Sequence, residues 1–124
     1  MLAMHRTKIL SVGYDDVLLS TRTALLEREG YSVTSANTFR EGLQRLKIHP
    51  YDLVILCHGI ARKDRDEFAR IVKLTHANAA VLMLELTNFE ARQWADAVAS
   101  SASPEEFLSS VSNLLSSRES HPFL

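Results

Sequence analysis

The stretch Tyr51-Asp-Leu-Val-Ile-Leu-Cys-His-Gly-Ile60 decides the fold. Residues 53–56 are an unbroken aliphatic run, which reads as a strand buried on both faces at the centre of a parallel sheet. The run ends at a polar corner beginning with Cys57, and in open α/β sheets ligands gather at that carboxyl edge.

Working outward, residues 80–84 (Ala-Val-Leu-Met-Leu) form a second doubly buried run. Residues 8–12 (Lys-Ile-Leu-Ser-Val) read as a first strand, 31–36 as a weakly alternating second, and 97–99 as a short last one. Helical patterns fill the intervals. Asp15 or Asp16 caps a helix that Gly30 stops, with Val17, Leu18, Leu25 and Leu26 as its apolar residues. Thr38 and Glu41 form a capping box ahead of Phe39, Leu43 and Leu46, and Pro50 closes that helix. A third helix is expected over 64–76, with Phe68, Ile71, Val72 and Leu74 facing inward after a charged loop over 57–63. Residues 89–95 allow a short helix. Ser103-Pro104-Glu105-Glu106 is a strong start for the last helix, with Phe107, Leu108, Val111, Leu114 and Leu115 on its apolar face. Strands and helices alternate about five times, so the chain is expected to be α/β, its sheet parallel, covered on both faces and joined by right-handed crossovers.

Length and composition set bounds on function. At 124 residues the prior is a single domain, here 1–124 with a core over about 7–116 and a flexible tail over 117–124. A net charge of −1 with no basic stripe argues against nucleic-acid binding. One cysteine cannot form an internal disulfide, and no run reaches the roughly 18 apolar residues of a membrane span, so a cytoplasmic protein is the default. Four glycines, none in a G-x-G spacing, give no phosphate loop, and five histidines show no metal-ligand spacing; neither a cofactor nor a metal is expected.

Over nearly its full length the chain resembles the receiver domain of two-component response regulators. The likeness is carried by Lys8-Ile-Leu-Ser-Val12, Leu25-Leu-Glu-Arg-Glu-Gly-Tyr31, Tyr51-Asp-Leu-Val-Ile-Leu56 and Pro104-Glu-Glu-Phe-Leu108, in order and at matching distances over the first three. The resemblance implies a flavodoxin-like, CheY-like three-layer sandwich with strand order 2-1-3-4-5. It also implies a bacterial signalling context, with a histidine kinase or an effector as partner and a homodimer open.

The family's site positions are a different matter. The resemblance carries its acidic, magnesium-holding pair onto Gly13 and Tyr14, with Asp15 one place later. It carries the phosphoacceptor aspartate onto Cys57, the Thr/Ser onto Glu85 and the Lys onto Ser100 or Ser101. Magnesium needs hard oxygen ligands, which Gly13, Tyr14 and Cys57 do not supply. Without metal or lysine, nothing neutralises a transferring phosphoryl group. The expectation is a degenerate receiver: not an enzyme, acting through protein–protein contact without aspartyl phosphorylation.

Two further readings stand beside it. Cys57 is expected to be a small apolar filler of a vacated pocket, while a thiol-based sensor or small α/β enzyme using Cys57 needs a thiol activated by His58, Arg62 or Lys63. A working receiver with shifted residues would use Asp15 for metal and Asp52 or Asp64 for phosphate. Glu85 reads as an exposed or ion-paired loop residue, or as a general base. Phe89 and Trp94 sit where receivers present their output surface; they plug core left open by a shortened fourth helix or mark a partner face.

Overall fold

The computed structural model describes residues 6–86 and 93–119. Every residue of β3 (Leu53–Leu56) is buried. β3 pairs in parallel with β1 (Lys8–Val12) on one side and β4 (Ala80–Glu85) on the other. β2 (Ser32–Ala36) joins β1, and β5 (Ala97–Ser100) joins β4, giving a five-stranded parallel sheet of order β2-β1-β3-β4-β5.

Successive side chains on a strand point to opposite faces, and that alternation divides the core into two. Leu53, Ile55 and Cys57 face the side covered by α1 (Asp16–Arg28) and α4 (Pro104–Glu119). There they meet Leu26, Phe107, Val111 and Leu115. Val54 and Leu56 face α2 (Phe39–Ile48) and α3 (Arg62–Thr75), where Phe68, Val72 and Leu46 close the layer. Phe39 and Phe68 join those two helices edge to face at 5.4 Å.

Capping follows the sequence. Asp15 Oδ1 accepts the N–H groups of Val17 and Leu18, and Thr38 Oγ1 that of Glu41. Glu41 reaches back to the Asn37 N–H, one residue earlier than a capping box requires. Ser103 Oγ accepts the Glu106 N–H, and Gly30 ends α1 in the left-handed region at φ 95°.

Four expectations need correction. Val17 and Leu18 do not face the core: the buried stripe of α1 is Leu19, Arg22 and Leu26, and Val17 is 74 % exposed. α3 starts at Arg62, inside the expected charged loop, and buries Arg65, Phe68, Ala69 and Val72 while Leu74 points to solvent. α4 runs to Glu119, so residues 117–119 are helical and not a tail. Glu85 belongs to β4 and is buried. The expected helix over 89–95 lies mostly outside the described residues, and so does Phe89; its last described residues, 93–95, are turn and irregular chain.

Candidate functional site

At the carboxyl edge Gly13 follows β1 and Cys57 follows β3, while β4 ends in Glu85 and β5 in Ser100. Parallel pairing brings these ends together, since Val12 registers with Leu56 and Glu85 with Ser100. The residues assigned from the resemblance therefore do converge, but their chemistry is altered.

Cys57 lies just past β3, where the chain turns and the Ile60 N–H bonds back to the Cys57 carbonyl. The turn overrides strand alternation, so Cys57 and His58 line the same cavity although neighbours within a strand would diverge. That cavity has a volume of about 110 Å³, and Gly13, Tyr14, Asp15, Leu18, Arg22 and Gly59 complete its walls. Gly13 is fitted to the thiol: a Cβ there would stand 2.9 Å from Cys57 Sγ.

Arg22 holds the cluster together, and sequence reading missed it. Its Nη1 donates to Cys57 Sγ at 3.2 Å, and its Nη2 to Ser101 Oγ at 2.7 Å and to the Ser101 carbonyl at 3.3 Å. Ser101 Oγ lies 2.6 Å from His58 Nδ1, which completes a chain Cys57–Arg22–Ser101–His58 joining α1 to the loops after β3 and β5. The signal was available: Leu19, Arg22 and Leu26 follow helical spacing, but a charged residue on that stripe is discounted by apolar pattern alone. Of the two serines the resemblance left open, Ser101 enters the cluster. Ser100 Oγ turns back to accept the Ala102 N–H.

Glu85 sits beneath this layer and is ion-paired. Its Oε2 is 2.8 Å from Arg65 Nη1, which also donates to the Leu84 carbonyl. The run Arg62–Glu67 is therefore not wholly solvated.

Burial dominates the titration of the cluster. It pushes the Cys57 thiol above its usual pKa, against an opposing pull from the Arg22 guanidinium. It also holds His58 below its usual value, assisted by Arg22 and Arg65, so the imidazole is neutral at pH 7. Burial, then the nearby Asp64 carboxylate, raises Tyr14. The activating cation expected for the thiol was His58, Arg62 or Lys63; Arg22 and Arg65 supply the field instead, and burial outweighs them.

Magnesium does not fit these residues. Asp15 is the sole carboxylate lining the cavity, its Oδ1 is engaged in capping α1, and a guanidinium bonds the sulfur where a carboxylate would be required. Asp52 lies at the opposite edge, its Oδ2 accepting the Lys8 N–H, and Asp64 lies in the first turn of α3. Among the described residues no group of three His, Cys, Asp or Glu side chains could hold a metal ion.

Trp94 is partly buried and packs against the α2–α3 side of the core. It also borders an open groove with Arg62, Lys63, Asp66, Glu67 and Arg70. Trp94 thus has one side in the core and another on an open groove.

No protein-family model matches the sequence, and no curated protein matches it. Solved structures do. A CheY-like response regulator receiver domain protein from Methanospirillum hungatei superposes with a TM-score of 0.82 at 21 % identity, over 95 % of this chain and 100 % of that one. The chain has the receiver-domain fold. Chemotaxis response regulator CheY4 of Vibrio cholerae matches at 0.77 and 20 % identity over 90 % of this chain and 100 % of that one. Response regulator TrrA of Thermotoga maritima, solved with magnesium and beryllium fluoride, matches at 0.78 and 24 % identity over 88 % and 99 %. TrrA has also been solved in complex with the histidine kinase ThkA, and in that form it matches at 0.77 and 23 % identity over 88 % and 98 %. The receiver fold and its strand order are thereby established for this chain. Its site chemistry rests on its own residues.

Proposed function

We propose that this chain is a receiver-fold interaction module of two-component signalling that works without aspartyl phosphate. One observation carries the reading: at the end of β3 stands Cys57, bonded to Arg22, where phosphoryl transfer would need a carboxylate beside a metal. The neighbouring site positions Gly13, Tyr14 and Glu85 support it, because none offers a free hard-oxygen ligand at the cavity. The role left to such a fold is contact with another signalling protein, a histidine kinase or an effector; the TrrA–ThkA complex is a precedent for the kind of partner. Trp94 and the charged groove beside it are the proposed contact face. A cytoplasmic location agrees with a signalling role, and among the described residues no helix is long and apolar enough to cross a membrane.

The test is incubation with acetyl phosphate or a phosphorylated kinase, with and without magnesium, followed by intact-mass measurement. No added phosphoryl group is expected in either arm. Stoichiometric, magnesium-dependent, base-labile labelling overturns the reading.

The thiol reading is favoured by one observation, the Arg22 Nη1 to Cys57 Sγ hydrogen bond, and opposed by the burial that keeps the thiol protonated. It is the second choice.

A further inference from the structure

Arg22 is a buried cation that donates hydrogen bonds to a thiol, a hydroxyl and a carbonyl. The side chain rises from the middle of α1 and the residue is 6 % exposed. Those three bonds do not use all the N–H donors of a guanidinium. Among the described residues no carboxylate forms an ion pair with it. A buried charge without a counter-charge is costly, and an anion supplied from solution would complete it.

Arg22 lines a cavity that offers space for such an anion. The cavity of about 110 Å³ lies between Arg22, Cys57 and His58 on one side and Gly13, Tyr14 and Asp15 on the other. A water molecule's share of liquid volume is ~30 Å³, so the cavity holds a group of about three or four waters' size. That suits one tetrahedral ion. Asp15 lines the cavity too, but its Oδ1 takes the Val17 and Leu18 N–H groups at the positive end of α1, which offsets its charge.

We propose that this cavity is a metal-independent site for one small tetrahedral oxyanion of the phosphate or sulfate kind, with Arg22 as the charged anchor and the His58 imidazole beside it. Arg22 corresponds to none of the positions the receiver resemblance carries over, so the ligand set is this chain's own. The assignment goes beyond the interaction module and stands whether or not that reading holds. Burial, Arg22 and Arg65 now press the His58 pKa down, while Glu85 and Asp15 act the other way. A bound oxyanion adds to the second group.

The experiment titrates the full chain with potassium phosphate in EDTA, at constant ionic strength made up with chloride, followed by isothermal calorimetry and by nuclear magnetic resonance. One equivalent is expected to bind saturably. The amide resonances of Gly13, Tyr14 and Gly59 should move, and the His58 imidazole should titrate at higher pH with phosphate than without. Arg22→Met is expected to weaken binding by about tenfold or more. Val17→Ser, at an exposed position of the same helix, should bind as wild type. Chloride producing the same shifts, shifts mapping away from the cavity, or unchanged binding by a folded Arg22→Met variant overturns the proposal. Should Arg22→Met fail to fold, the wild-type resonance map decides: shifts confined to the cavity sustain the site, and any other pattern removes it.

Discussion

Arg65 Nη1 stands 2.8 Å from Glu85 Oε2, with 5 % and 7 % of the two side chains exposed. The pair links α3 to the last residue of β4. At this depth the pair's own contribution is small, because desolvation offsets attraction, but breaking it leaves one charge buried alone. Arg65→Met and Glu85→Leu are each expected to cost about 3–5 kcal/mol in urea unfolding, and the double variant Arg65→Met/Glu85→Leu less than their sum. Strict additivity would show that the two charges are not coupled.

Gly13 and Cys57 are fitted to each other. An added Cβ at Gly13 would lie 2.9 Å from Cys57 Sγ and 3.1 Å from Cys57 Cβ. Gly13→Ala should therefore destabilise by about 1–3 kcal/mol. Introduced together with Cys57→Ala it should cost less, because the sulfur contact is gone while the Cβ contact remains. A double-mutant cycle by thermal unfolding measures that coupling; zero coupling contradicts the contact.

The Cys57 thiol is 4 % exposed and burial raises its pKa. Reaction with a maleimide at pH 8 should run about tenfold or more slower in the folded chain than in urea. Rapid labelling of the folded protein at neutral pH would instead favour the thiol reading.

Two groups in the cluster tie stability to pH with opposite signs. His58 has its folded pKa below the ordinary 6.5, so below that value the unfolded chain binds more protons, and stability falls as pH drops until the folded imidazole also protonates. Cys57 has its folded pKa above the ordinary 9.0, so the unfolded thiol ionises first and stability falls as pH rises past that value. Chemical unfolding across pH checks both limbs. His58→Gln should flatten the acid limb and Cys57→Ala the alkaline one; limbs that persist in these variants belong to other groups.

Trp94 is the sole tryptophan, which makes its environment readable by fluorescence. Trp94→Ala is expected to keep the far-ultraviolet circular dichroism of the wild type while losing capture of a signalling partner in pull-down. Equal capture by a folded variant would remove Trp94 from the contact face.

The sequence by itself determined the fold. The continuous apolar runs at 53–56 and 80–84 demanded a doubly covered parallel sheet, and the caps at Asp15, Thr38 and Ser103 set where helices begin. Those signals are local, carried by neighbours in the chain. It also determined which residues stand at the strand ends, Gly13, Cys57 and Glu85 among them, because parallel strands bring their carboxyl ends to one edge.

Only the tertiary structure decided what lies between those ends. Val17 and Leu18 outrank Arg22 on any hydrophobic scale, yet α1 turns Arg22 inward, because its buried stripe packs beside the Cys57 corner, where sulfur and Ser101 oxygens accept its donors. Arg65 is buried likewise because Glu85 waits across the gap, 20 residues further along the chain. Burial of a charge depends on a partner that the local pattern does not contain, and that is why the centre of this site became visible only when the chain was folded.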